Sequence, residues 1–290
     1  MNEPVRDDPI KFGLQPTPPD ARDFQLGQIT FLPDLDTLPA EFLIPYSLKH
    51  QRSTDFCSAY MSCAMSEPQE HAVFEPSYSF AVSKEISGDK DGWGQNLRDA
   101  LKSHVRTGAL PIEFSPFSVD SKPSDFLRDI ENWKAITPNL TELYRKQSYF
   151  KVTGQYNAFD NARTALHKFK SPIGTGVLWG WSLSRTLLDT IPQGGFGHAV
   201  TIIGFTKWEN GEDVLILLNS YGKEAGKDGL HYITRDVYNH FANFYGHYMF
   251  LDLEKEDAKW RLSWNIKLED NWLIQLCKIL KSFFLSFLSR

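Results

Sequence analysis

Residues 51–67 read QRSTDFCSAYMSCAMSE and place Cys57 at the point where a helix is predicted to begin. The residues before Cys57 are polar and typical of turns, whereas small and apolar residues follow helical spacing from Ala59 onward. Backbone N–H groups and the positive end of the helix dipole stabilise a thiolate in a first helical turn. Cys57 is therefore a candidate nucleophile, although an unpaired cysteine is more often a small buried hydrophobic residue.

A second group of candidate residues lies in the stretch 194–233. His198 opens a predicted strand of β-branched and apolar residues, Asn210-Gly211 is a strong hairpin signal, and Asn219 ends the returning strand. Because the hairpin brings His198 and Asn219 close together, the asparagine oxygen can accept from one imidazole nitrogen while the other nitrogen faces the thiol. The pattern predicts a Cys-His-Asn site.

At these residues the chain resembles the papain-like cysteine peptidases, the family that includes the cathepsins. The matching motifs, in chain order, are Gln51-x5-Cys57, Cys57-Ser-Ala-Tyr60, His198-Ala-Val200, Asn219-Ser-Tyr-Gly222 and the following run Gly226-Lys-Asp-Gly229-Leu-His-Tyr232-Ile233. The resemblance covers residues 38–253. It implies peptide-bond hydrolysis, with Cys57 as nucleophile, His198 as base, Asn219 as the residue that orients the base, and Gln51 as an oxyanion-hole donor.

The chain also departs from the family pattern. Thr54 stands where secreted members carry a disulfide cysteine, Ser58 replaces the tryptophan that usually follows the nucleophile, and Tyr221 replaces the tryptophan that usually shields the Asn–His contact. None of the four chemical groups is lost, so we expect an active enzyme that acts on a polypeptide substrate.

The resemblance implies an α+β papain-like fold, with a mainly helical left half, a β-rich, barrel-like right half and the active-site cleft between them. It divides the chain into an N-terminal extended arm (1–37), a peptidase domain (38–253) and a C-terminal extension (254–290). Spacing and composition predict helices from Cys57 and over 76–85, 95–107, 122–135 and 157–168, and strands near 149–153, 173–179, 199–205, 214–218 and 245–252.

The arm contains too many apolar residues for a free linker, so we expect it to pack along the domain as a strap. It is too short and too poor in helical pattern to resemble the inhibitory propeptide of the family. Ahead of the predicted helix 95–107, Trp93 and Gly94 resemble part of the family's Gly-Gly turn, whose backbone pairs with an extended substrate. A simple helix-capping turn is the alternative interpretation of these two residues.

Composition narrows the possible partners. A net charge of −5 and a pI of about 5.9 argue against a nucleic-acid partner, since no basic surface is available to neutralise phosphates. The remaining histidines show no ligand spacing with cysteines or paired carboxylates, so neither a metal nor another cofactor is expected. Three cysteines make no disulfide framework and the start carries no secretory signal, which together favour a cytoplasmic location.

The C-terminal segment 271–290 is a separate question. Its apolar residues fall on one side of a predicted helix and its lysines and serines on the other. The apolar span is short of the ~20 residues that a bilayer crossing requires. The segment therefore predicts an amphipathic helix that binds a membrane surface, a partner protein or the enzyme's own surface.

Two other functions fit the same residues. A thiol-dependent amidase or acyl transferase would use the same Cys-His-Asn chemistry on a different acceptor, and the specificity loops cannot be placed from sequence. A catalytically silent binding module with the same fold is the third hypothesis. The joint presence of Gln51, Cys57, His198 and Asn219 argues against this last function.

Overall fold

The computed structural model describes residues 13–17, 20, 23–30, 32–89, 94–115 and 138–252. The predicted helix 122–135, Trp93 and the C-terminal segment 271–290 lie outside the described residues. The membrane or partner contact of that last segment therefore stays a prediction.

Helices dominate the first half of the described chain. The α-helices are α1 (Leu26–Ile29), α2 (Cys57–Glu70), α3 (Pro76–Ser87), α4 (Leu97–Arg106), α5 (Pro138–Leu143), α6 (Ala158–Phe169) and α7 (Arg235–Tyr245). Helix α4 begins where the Asn96 side chain accepts a hydrogen bond from the backbone N–H of Asp99 at 2.9 Å. This cap ends the extended backbone at Gln95, immediately before the helix.

Strands dominate the second half. They are β1 (Phe42–Leu43), β2 (Ser148–Lys151), β3 (Ile173–Trp179), β4 (Leu187–Leu188), β5 (Phe196–Lys207), β6 (Asp213–Leu218), β7 (Leu230–Thr234) and β8 (His247–Leu251). The sheet has the order β2-β8-β3-β5-β6-β7-β4, and β1 pairs with β5. All pairs are antiparallel except β4 with β7.

The fold is α+β, as predicted, but its second half is an open sheet over the described residues and not a closed barrel. Helix α2 packs against β5, the long central strand, and both contribute to one hydrophobic core. This packing sets the N-terminal end of α2, where Cys57 lies, beside the strand that carries His198.

Among the buried histidines of this interior, His104, His198 and His247 have pKa values that burial lowers from 6.5 to about 3, 4 and 3. Below pH 6.5 the unfolded chain binds protons at these rings, whereas the native chain does not until the pH reaches those lower values. The stability that comes from keeping these rings neutral is therefore fully present above pH 6.5 and decreases as the pH falls below it.

We expect each ring to lower the free energy of unfolding by about 2 kcal/mol between pH 7.5 and pH 5. Denaturant titrations at the two pH values measure this loss. His104→Gln should reduce the total loss by about 2 kcal/mol, whereas His240→Gln, at an exposed position, should leave it unchanged. An equal loss in both variants and the wild type would contradict the assignment to the buried rings.

Candidate active site

Cys57 is the first residue of α2 and its side chain is completely buried. It forms no disulfide with Cys63, the other cysteine in the described ranges. Hydrogen bonds reach it from the backbone of Ala199, the residue after His198, and from the backbone of Gly13. The structure thus places the candidate nucleophile at a helix N-terminus and in contact with the strand of the candidate base.

His198 and Asn219 are brought together by the β5–β6 pair, as the hairpin predicts. Nε2 of His198 lies 3.0 Å from Oδ1 of Asn219. Tyr221 stacks on the imidazole, with ring centroids 5.1 Å apart and an interplanar angle of 21°. Trp179 of β3 meets the same imidazole edge-on at 5.4 Å. Aromatic surfaces therefore enclose the ring and keep water from the Asn–His contact.

Gln51 is buried and is anchored to the loop that follows Asn219. Its backbone N–H donates to the Ser220 carbonyl at 2.7 Å, and the Ser220 hydroxyl donates to its Oε1. Its Nε2 donates to the Thr54 carbonyl at 2.8 Å. These bonds fix the glutamine side chain next to the turn that leads into Cys57.

Residues 13–15, within the arm that the sequence predicts to pack along the domain, lie across the site, and this particular position was not predicted. The backbone N–H of Gln95 donates to the Gly13 carbonyl at 2.7 Å, and that of Gln15 donates to the Gln95 carbonyl at 2.8 Å. The Leu14 N–H donates to the carbonyl of Gly197 at 3.0 Å. Residues 13–15, which we call the cleft segment, therefore run parallel to the backbone at Gln95 and lie against Gly197 and Cys57, beside the candidate catalytic residues.

Gly94 helps to make room for this segment. Its φ is +63°, and a Cβ at this position would overlap the Gly13 carbonyl. Its N–H donates to an Asp55 carboxylate oxygen at 2.7 Å. The two backbone hydrogen bonds to an extended chain come from the next residue, Gln95, which the sequence interpretation missed.

His231 is a second residue that the sequence interpretation missed. It lies on β7, is fully buried, and its Nε2 is 3.0 Å from Nδ2 of Asn219. Its Nδ1 is 2.7 Å from the Arg185 carbonyl oxygen. The signal available in the sequence was its place in the run that follows Asn219, which was matched to the family without singling out the histidine.

Burial decides the protonation of the two candidate catalytic residues, Cys57 and His198. It raises the pKa of Cys57 to about 11, against the lowering effect of the backbone hydrogen bonds from Ala199 and Gly13. It lowers the pKa of His198 to about 4, against the raising effect of the Asn219 hydrogen bond. With the cleft segment in place, the resting pair at pH 7 is a neutral thiol and a neutral imidazole.

The described residues hold neither a metal cluster nor a membrane-spanning helix. Among the described residues, no group of three or more histidine, cysteine, aspartate or glutamate side chains is placed to hold a metal ion. None of the helices in the described ranges has the length and apolar character needed to cross a bilayer.

Comparisons with known proteins support the fold. No model of a known protein family matches the sequence, and no curated protein matches it. The structure is similar to xylellain, a cysteine protease from Xylella fastidiosa, with a TM-score of 0.62 and 18% identity over 84% of this chain and 96% of that one.

Two further solved structures are similar to the chain. Bromelain from Ananas comosus, in complex with the E64 inhibitor, gives a TM-score of 0.55 and 18% identity over 75% of this chain and 100% of that one. Digestive procathepsin L 3 of Tenebrio molitor gives a TM-score of 0.59 and 15% identity over 80% of this chain and 75% of that one. The chain therefore has the fold of the papain-like cysteine proteases, as its motifs predicted.

Proposed function

We propose that this chain is a cysteine peptidase that hydrolyses peptide bonds through Cys57, His198 and Asn219. The observation that carries the proposal is the 3.0 Å contact between His198 Nε2 and Asn219 Oδ1, enclosed by Tyr221, with Cys57 at the helix N-terminus beside the same strand. The papain-like fold supports it, because xylellain, a solved structure of similar fold, is a cysteine protease.

The mechanism follows from the chemistry of these groups. His198 takes the thiol proton, and the thiolate of Cys57 attacks the substrate carbonyl carbon to form a tetrahedral oxyanion. The Gln51 amide and the Cys57 backbone N–H stabilise that oxyanion. The imidazolium then protonates the leaving amine, and water releases the acyl group from the sulfur by the same proton transfers in reverse order.

A polypeptide substrate would use the backbone groups that the cleft segment now occupies. Gln95 offers one N–H and one carbonyl to an extended chain, and Gly197 offers a carbonyl. Backbone pairing of this kind binds extended peptides with little dependence on their sequence. Substrate and cleft segment therefore compete for the same hydrogen bonds.

Labelling with an epoxysuccinyl or peptidyl thiol-directed inhibitor tests the proposal, with the modified residue located by mass spectrometry. We expect labelling at Cys57 in the wild type, its loss in Cys57→Ala, and a strong reduction in His198→Ala. Cys63→Ala is the matched control, since Cys63 is a second buried cysteine on α2. Labelling that persists in His198→Ala at the wild-type rate would contradict activation by the base.

A second assay separates the peptidase from related chemistry. The wild-type protein should release new amino termini from an unfolded polypeptide. A labelled Cys57 without peptide hydrolysis, but with transfer of an acyl group to an added amine, would identify an acyl transferase. No labelling, in the wild type or after displacement of the cleft segment, would identify a silent module.

A further inference from the structure

We infer that His231 is a positioning residue for the proposed reaction: through Asn219 it determines which nitrogen of His198 carries the resting proton. The inference rests on the proposed function only for its effect on turnover. Its structural part concerns hydrogen bonds that the chain makes whether or not it hydrolyses peptides.

The protonation of His231 is set by its contact with the Arg185 carbonyl. A carbonyl oxygen can only accept, so the His231 Nδ1 at 2.7 Å must carry a hydrogen and donate it. Burial lowers the pKa of His231, which favours the neutral ring. A neutral ring with its hydrogen on Nδ1 has a lone pair on Nε2, so His231 presents an acceptor to the site.

That acceptor fixes the Asn219 side chain. The atom of Asn219 that lies 3.0 Å from His231 Nε2 must be the donor Nδ2, which turns Oδ1 toward His198. The Ser220 backbone N–H, 2.8 Å from the same Oδ1, supports this orientation from the other side. The amide is thereby held from both ends.

The orientation of Asn219 then sets the tautomer of His198. An acceptor oxygen 3.0 Å from His198 Nε2 requires the hydrogen to be on Nε2. Nδ1 is consequently the basic nitrogen, the one that can take the thiol proton. A catalytic triad with the wrong histidine tautomer loses on the order of 10⁴ in rate. The series of hydrogen bonds from Arg185 through His231 to His198 can therefore affect the reaction although His231 does not contact the substrate.

The surroundings of His231 fit such a role. Trp179 meets the His231 ring edge-on at 5.0 Å and meets His198 in the same way, so one indole packs against both imidazoles. Gly226 has a φ of +56°, and a Cβ there would come within 2.9 Å of His231 Nδ1. Little room is left for the ring to turn or shift.

The test is the protonation of the His198 ring, read from ¹⁵N chemical shifts of the full chain labelled at histidine. We expect a hydrogen on Nε2 in the wild type and a mixture of tautomers in His231→Leu. His231→Gln, whose amide oxygen can still accept from Asn219, should restore the wild-type pattern. His247→Leu is the matched control, because it removes an equally buried histidine that bonds to Tyr238 instead. An unchanged His198 pattern in a folded His231→Leu would overturn the inference.

Kinetics provide a second measurement. His231→Leu should lower kcat/KM about tenfold, the size of one lost buried hydrogen bond, with little change in KM. In an Asn219→Ala background the same substitution should cause no further loss. Equal losses in both backgrounds would show a merely structural role. If peptide hydrolysis is absent but the tautomer shift is observed, the proposed function fails and the positioning role stands.

Discussion

Leu14→Glu is expected to raise the rate at which a thiol-directed inhibitor labels Cys57 by roughly 10³–10⁴. The Leu14 side chain is 8% exposed and belongs to the same core cluster as Cys57. Burial of a leucine side chain contributes about 1.5–3 kcal/mol, and each of the three backbone hydrogen bonds of the cleft segment contributes about 1 kcal/mol. A carboxylate at this position would have to be buried without a partner, so the segment should leave the cleft.

The measurement is the second-order rate constant of inhibitor labelling at neutral pH. Pro16→Glu is the control, since it adds the same charge two residues further along at an exposed position. It should label at the wild-type rate. Equal rates in wild type and Leu14→Glu would show that the cleft segment does not limit access to Cys57.

The same substitution should move the pH dependence of labelling. Burial raises the pKa of Cys57 and lowers that of His198, and in both cases it disfavours the charged form. Displacement of the segment exposes both groups, so the thiol pKa falls and the imidazole pKa rises. Labelling of Leu14→Glu should therefore reach its plateau at a lower pH than labelling of the wild type.

Local patterns carried much of the sequence prediction. Helix α2 begins at Cys57 as expected, because a polar turn followed by helical spacing is a local signal. The hairpin of β5 and β6 turns near Gly211, as the Asn-Gly pair predicted. Strand β5 begins at Phe196, earlier than predicted, because its glycine-rich start pairs with the end of β3 and obtains its order from that partner.

Helix α7 was missed although its pattern was present. Its buried residues are Val237, Tyr238, Phe241, Ala242 and Tyr245. They follow a helical period, but aromatic and β-branched residues are also typical of strands, and the pattern was interpreted as a strand over residues 245–252. The strand there, β8, begins only at His247, after the helix has ended.

The position of the cleft segment could not be predicted, for a physical reason. It is held by backbone groups of Gln95 and Gly197, and a backbone N–H or carbonyl is the same at every residue, so the side chains carry no signal of the pairing. His231 illustrates a related limit. Its contact with Asn219 depends on the register of β6 with β7, which pairs Leu218 with Leu230, and a register is a property of two strands together.

Gln51→Glu is expected to lower kcat by roughly 10²–10³, measured in the Leu14→Glu background where the cleft is open. The substitution is nearly isosteric and keeps an oxygen that can accept from the Ser220 hydroxyl. It removes the amide donor proposed for the oxyanion and adds a negative charge beside it, which disfavours the transition state more than the bound substrate.

The comparison of kcat, KM and Tm distinguishes this role from a structural one. Gln69→Glu is the control: it changes a glutamine near the other end of α2 whose Nε2 also donates to a backbone carbonyl, that of Phe250. It should leave kcat unchanged. A rise in KM without loss of kcat in Gln51→Glu would mean that Gln51 stabilises the bound substrate as much as the transition state. The Cys57 backbone N–H would then be the principal donor to the oxyanion.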